Sequence, residues 1–121
     1  VDVHHLNRTA LKHENGLDAQ RLLPWEQLNA PFEGSWCVIR PGTASTAHAH
    51  HEYEIFIAVS GRAVLESEGE RVPFEQGDIV RFGPNTEHRV INDSDADFEM
   101  YSVWWDADMA EVFVRRHQSE D

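Results

Sequence analysis

Positive charge is scarce in these 121 residues: ten Lys and Arg stand against 22 Asp and Glu, for a net charge of −12 with histidine neutral. Such a field repels phosphate backbones and anionic lipid, which argues against nucleic-acid or membrane-surface partners. Long apolar runs are missing too, so no membrane span or signal-peptide core is expected. The single cysteine, Cys37, cannot close an internal disulfide or supply a cysteine metal cluster within one chain, which fits a reducing, cytoplasmic location. By type it reads as a small buried hydrophobe rather than a nucleophile. Repeats, low-complexity stretches and interdomain linkers are absent as well. What is left is one domain of 13.9 kDa, 40% hydrophobic and 26% charged, long enough to bury roughly two thirds of its unfolded surface. It opens on Val1 rather than Met, as a trimmed chain would, or as a domain excised from a longer protein would.

Turn signals divide the chain. Residues 1–34 form a polar lead-in punctuated by Asn15-Gly16, Pro24 and Pro31. Within it Leu17, Leu22, Leu23, Trp25 and Leu28 are expected to make a short helix or a clamp against a sheet, so the lead-in is predicted to be partly helical. From Ser35 the pattern becomes short strands between turns: 35–40, a long extended region 48–60, then 62–66, 71–74, 79–82, 88–92 and 98–105. Turns at roughly 8–12-residue intervals indicate an all-β sandwich or barrel, with the barrel over 35–106. The tail, 107–121, reads as a helical turn that frays into charge.

Eight histidines are many for this length, and three of them fall in 48–51. On an extended chain, residues of equal parity face one side, so His48, His50 and Glu54 share a face. His88, near a later turn, can add a nitrogen from across a barrel. Such a mixed nitrogen and oxygen set suits zinc, iron, manganese, nickel or cobalt, without choosing among them. His51 has the opposite parity and is expected to point outward, while His4, His5, His13 and His117 belong to the lead-in and tail.

These residues form a recognisable pattern. Gly42, five residues, His48-Ala49-His50, three residues, Glu54, six residues and Gly61 resemble the first motif of the cupin family at each fixed position. Gly77, His88 and Asn92 resemble the second. Gly83 and Asn85 depart from it, standing where proline and glycine are usual; asparagine tolerates the left-handed backbone a turn there requires. The resemblance implies a jelly-roll-type cupin β-barrel with one divalent metal held by His48, His50, Glu54 and His88. It further implies turn roles for Gly42, Gly61 and Gly77 and a structural hydrogen-bonding role for Asn92.

Two further runs, His50-His51-Glu52-Tyr53-Glu54-Ile55-Phe56-Ile57 and Met100-Tyr101-Ser102-Val103-Trp104-Trp105-Asp106, are similar to the zinc-binding cupin domains of bacterial hydrazine synthetases. Those domains are often fused to a methionyl-tRNA-synthetase-like domain, which esterifies an N-hydroxylated amine such as N6-hydroxylysine with a second amino acid. The resemblance implies a redox-neutral, zinc-dependent rearrangement of that ester into a product with an N–N bond, and a synthetase-like domain or protein as partner. Glu54, Glu99 and Tyr101 are the catalytic candidates. If Glu54 ligates the metal, the base comes from Glu52, Glu99 or Tyr101. Arg40, Tyr53 and Trp104 are the expected substrate contacts; Arg40 is either a carboxylate clamp or a surface arginine paired with an acid, and Arg81 poses the same choice. On the last strand Phe98, Met100, Ser102 and Trp104 share one face and Glu99, Tyr101, Val103 and Trp105 the other, with the pocket side left open. Competing readings are a mononuclear iron cupin dioxygenase and a non-catalytic binding cupin. Barrel edges also make a homodimer plausible.

Overall fold

The computed structural model describes residues 1–120; Asp121, the end of the expected tail, lies outside the described residues. The elements follow in the order β1 (Lys12–Glu14), β2 (Leu17–Arg21), β3 (Phe32–Ile39), β4 (Tyr53–Ser60), β5 (Arg62–Ser67), β6 (Glu70–Glu75), β7 (Ile79–Phe82), β8 (His88–Ile91), β9 (Phe98–Trp105) and α1 (Ala107–Glu120). A six-stranded sheet of order β1-β2-β3-β9-β4-β7 faces a three-stranded sheet of order β6-β5-β8, and every pairing is antiparallel. This is the expected all-β, barrel-like architecture.

Two-residue alternation builds the large sheet. Along β4, Glu54, Phe56 and Ala58 are buried while Tyr53, Ile55 and Ile57 are partly exposed. Along β9, Phe98, Met100 and Ser102 are buried between less buried neighbours. Register then fixes which rows meet: Ser35 pairs with Ser102 and Cys37 with Met100, while Phe56 also pairs with Ser102. The interior therefore gathers Leu17, Ala19, Cys37, Ile39, Phe56, Phe98 and Met100 with Leu65, Phe74 and Val90 of the smaller sheet. Each large apolar side chain buried there contributes about 1.5–3 kcal/mol. Asn92, fully buried, spends both ends of its amide: Nδ2 donates to the carbonyls of Ile39 and Ala96, and Oδ1 accepts from Ser94.

The lead-in corrects the expectation of a partly helical segment. Asn15 and Gly16 both have positive φ, 52° and 77°, the backbone of a tight hairpin turn that suits an Asn-Gly pair. They join β1, the edge strand of the large sheet, to β2, which pairs with β3. Leu17 and Ala19 are buried while Asp18 and Gln20 are not, a period of two that no helix would give, so this part of the lead-in is neither helix nor a clamp laid against the sheet but strands of the sheet itself. Gly16 is also needed for space, since a Cβ there would lie 2.7 Å from the Ala44 carbonyl oxygen. Upstream, the backbone around His5–Arg8 is strapped to the sheet by Gln20, which bonds Asn7 N and His5 O, and by an Arg8–Glu99 ion pair.

The helix lies at the other end, where α1 turns the expected fraying tail into an ordered element. Asp106 caps it, its carboxylate accepting from the amides of Asp108 and Met109. The long extended region expected at 48–60 is strand only from Tyr53. Before that, isolated bridges Ala44–Ile91 and His48–His88 lay the chain along β8. No described helix is long and apolar enough to cross a membrane.

Candidate metal centre

His48 and His88 meet through the backbone first. The amide of each donates to the carbonyl of the other, at 3.3 and 3.1 Å, so the two motifs are joined in one bridge. Each ring is then aimed in the same way. Nδ1 of His48 donates to the Thr46 carbonyl at 2.9 Å, and Nδ1 of His88 to the Thr86 carbonyl at 2.8 Å. A carbonyl only accepts, so Nδ1 carries hydrogen in both rings and Nε2 is left facing the site. The His88 ring is further fixed by stacking on Phe82, with centroids 3.9 Å apart and planes 7° from parallel. His50 enters from the turn before β4, and Glu54 from the inward row of β4 itself.

The Glu54 carboxylate is the hub. Its Oε1 lies 2.8 Å from His88 Nε2 and 3.2 Å from His50 Nε2. Both Glu54 and His88 are buried, at 5% and 3% exposure. Ligand atoms of His48, His50, Glu54 and His88 all fall within 4.8 Å of one another. Three imidazole nitrogens and one carboxylate oxygen make a donor set that fits a divalent transition metal or zinc. A charged carboxylate this buried also requires cationic or donor company, which the imidazoles or a metal ion supply.

The cluster opens into a cavity of about 190 Å³. Its walls are the inward rows of four strands: Leu17, Ala19 and Arg21 of β2; Ser35 and Cys37 of β3; Glu54 and Phe56 of β4; Met100, Ser102 and Trp104 of β9. Glu14, Asn15, Ser45 and Glu52 complete it with His48 and His50. Glu52 Oε1 stands 3.9 Å from His50 Nδ1 while the Glu52 amide donates to that nitrogen. Burial pushes the Cys37 thiol up to about 11, so it is a protonated floor group; it donates to the Ser35 carbonyl and lies 3.8 Å from the Ser102 hydroxyl.

The remaining candidates divide by face. Trp104 lines the cavity. Tyr53 does not: it stacks on Trp105 across the outer face, 6.0 Å between centroids, beneath the Arg81 guanidinium. Tyr101 packs edge-on to Trp36 on that outer face, and burial raises its phenol above the ordinary value. Glu99 is held there by Arg8. Arg40 also lies outside the cavity, with Nε on Asp18 and Nη1 on Asp97, both at 2.9 Å. Hydrogen bonds from His13 and then Arg40 hold the Asp18 carboxyl below its ordinary value. The physical reason is shared: each of these side chains has the outward parity of its strand. His51 is exposed, as its parity requires.

Two charged cavity residues went unforeseen, Glu14 and Arg21, because the lead-in was expected to lie beside the barrel rather than in its wall. The alternation Leu17–Ala19–Arg21 directly after an Asn-Gly turn carried the signal.

Comparison with known proteins agrees with this geometry. A family model described as Cupin domain matches residues 35–104. A Cupin 2 conserved barrel domain protein from Salinispora arenicola is 53% identical, with a TM-score of 0.86 over 97% of this chain and 98% of that one. The plu4264 protein of Photorhabdus luminescens is 40% identical, with a TM-score of 0.84 over 96% of this chain and 97% of that one. A sugar phosphate isomerase of a cupin superfamily from Silicibacter pomeroyi shares the fold alone, at 22% identity and a TM-score of 0.66, over 74% of this chain and 59% of that one. Glu14 and Arg21 fall outside the residues that the family model matches.

Proposed function

This chain belongs to the cupin family, and from that premise we propose that it is a metal-dependent enzyme that rearranges an amino-acid ester of an N-hydroxylated amine into an N–N bonded product. The observation that carries the reading is a four-residue cluster, three of whose members, His48, His50 and Glu54, line one small cavity together with a separate carboxylate, Glu52, that is not part of it. Likeness of the His50–Ile57 and Met100–Asp106 runs to hydrazine synthetase cupins narrows it to this reaction. His48, His50, Glu54 and His88 would hold the ion, zinc in this reading. When bound, such an ion supplies Lewis acidity toward the departing carboxylate.

The rest is the work of the chain. The substrate joins the oxygen of an N6-hydroxylysine-type side chain to the carboxyl of a second amino acid. The free α-amine of that second residue attacks the hydroxylamine nitrogen through a five-membered arrangement. The N–N bond forms, the N–O bond breaks and the carboxylate departs with the electron pair, while Glu52 accepts the proton shed by the amine. No oxidant is consumed. Phe56, Met100 and Trp104 hold the ester folded with its nitrogens in contact, which supplies orientation. A methionyl-tRNA-synthetase-like domain or protein would deliver the unstable ester.

The test is anaerobic turnover. Zinc-loaded protein mixed with the synthetic ester of N6-hydroxylysine should yield a hydrazine of unchanged mass, faster than the ester rearranges alone. Iron in the purified protein together with O₂ consumption would instead make it an oxygenase. Ester recovered intact, or only hydrolysed, would overturn the reading.

A further inference from the structure

The inward row of β2 ends in Arg21, the one arginine or lysine among the described residues lining the cavity. Its Nε donates to Glu14 Oε1 at 2.9 Å, and its guanidinium carbon lies 5.9 Å from the centre of the Trp104 ring. These two contacts fix the plane of the group. Neither Nη1 nor Nη2 makes a hydrogen bond to any described residue, so the terminal fork is free for a carboxylate. Arg40, by contrast, spends its guanidinium on Asp18 and Asp97.

Position adds a length. Arg21 pairs with Ser35, Ser35 with Ser102 and Ser102 with Phe56. The arginine therefore stands three strand spacings from β4, roughly 14 Å along the sheet, and Glu54 is on β4. Charge adds a second constraint. Glu14 pairs with Arg21 Nε through Oε1 and has Lys12 Nζ 3.9 Å from Oε2, while Glu52 stands beside His50, so the cavity carries two carboxylates outside the metal cluster as well as one cation.

We propose that Arg21, held in plane by Glu14 and Trp104, is the carboxylate-binding residue of an α-amino-acid subsite, with Glu14 beside it to receive the α-ammonium group. The subsite rests on the amino-acid ester reading above and specifies it: the N-hydroxylated partner binds by its free α-amino-acid end at Arg21, and its side chain runs toward the cluster.

The experiment is calorimetric binding of L-lysine and of L-lysinamide, which lacks the carboxylate, to the zinc-loaded full chain. Native protein should prefer L-lysine by about 10- to 100-fold, the usual worth of a charge-assisted hydrogen-bond pair. Arg21→Gln should bring the two ligands to within about twofold, and Arg40→Gln should leave the preference intact. Zinc content and circular dichroism check that each variant is folded. Absence of any preference in the native protein, no binding of L-lysine at all, or a preference that survives Arg21→Gln would overturn the proposal. Failure of the catalytic reading looks different. In that case L-lysine is preferred through Arg21 while no N–N product forms from the ester. Conversely, unchanged KM for the ester in Arg21→Gln would remove the subsite and leave the reaction standing.

Discussion

Arg21 and Arg40 stand near the ends of neighbouring strands, each beside a carboxylate, and they do different things. Arg21 has the inward parity of β2 and stands at the cavity rim, its side chain 51% exposed, with its terminal nitrogens free. Arg40 follows the outward row of β3 and is closed off by two aspartates at the surface. The same division runs across the whole sheet. Glu54 and Trp104 point inward, while their direct chain neighbours Tyr53 and Trp105 stack on each other outside. Residue type alone marks candidates; parity, combined with the register of the adjoining strand, assigns them.

The inner and outer carboxylates give the sharpest contrast. Glu52→Gln keeps the shape and removes the proposed base, so turnover of the ester should fall by about 10²–10⁴-fold, with metal content unchanged by mass spectrometry. A loss of metal in this variant would instead make Glu52 a support for His50 rather than a base.

Next in size is His88→Ala. The ring is buried, stacked on Phe82 and bonded to Glu54, so its removal takes from a buried carboxylate the nearer of its two imidazole partners and leaves a hole beside Phe82. Denaturant unfolding should show a loss of about 3–5 kcal/mol. His51→Ala, on the exposed side of the same segment, should change stability by less than about 0.5 kcal/mol.

How much of this was legible in the sequence follows the same logic. The Asn15-Gly16 turn signal matches a turn whose two residues both adopt left-handed backbone, and so does Asn85, standing where glycine is usual. The strands Ile79–Phe82 and Phe98–Trp105 are bounded as the turns around them require. The spacing of His48, His50, Glu54 and His88 marked the cluster because ligand geometry constrains sequence spacing tightly. The working face of β9 stayed open for a physical reason. Alternation says which residues share a face, and only the pairing of Ser102 with Ser35 and Phe56 says which face meets the interior. The lead-in was misjudged because five apolar residues among polar ones can satisfy either period; pairing with β3 chose the strand.

Cys37, on the cavity floor, gives a pH-dependent comparison. Burial raises its thiol from the ordinary 9.0 to about 11, so the folded state favours the protonated form. That contribution is complete below about pH 9 and is lost as pH rises through about 11, a total loss of about 3 kcal/mol. Unfolding free energies measured from pH 7 to 11 should fall more steeply for the native protein than for Cys37→Ala. Parallel curves would contradict a buried, neutral thiol.

The smallest effect belongs to the outer face. Glu99→Gln releases the Arg8 strap, an exposed ion pair on its arginine side, and should cost less than about 1 kcal/mol. Its turnover should match the native protein's. A fall comparable to that of Glu52→Gln would mean that the outer face takes part in the chemistry.

The central claim is that the inward cluster holds a divalent ion, and metal content reads it most directly. Protein purified without a tag or added metal should carry one zinc per chain by mass spectrometry. That zinc should disappear in both His48→Ala and His88→Ala, and stay in His51→Ala. Metal-free native protein that takes up none on titration with zinc, or zinc retained in the His48 and His88 variants, would contradict the account.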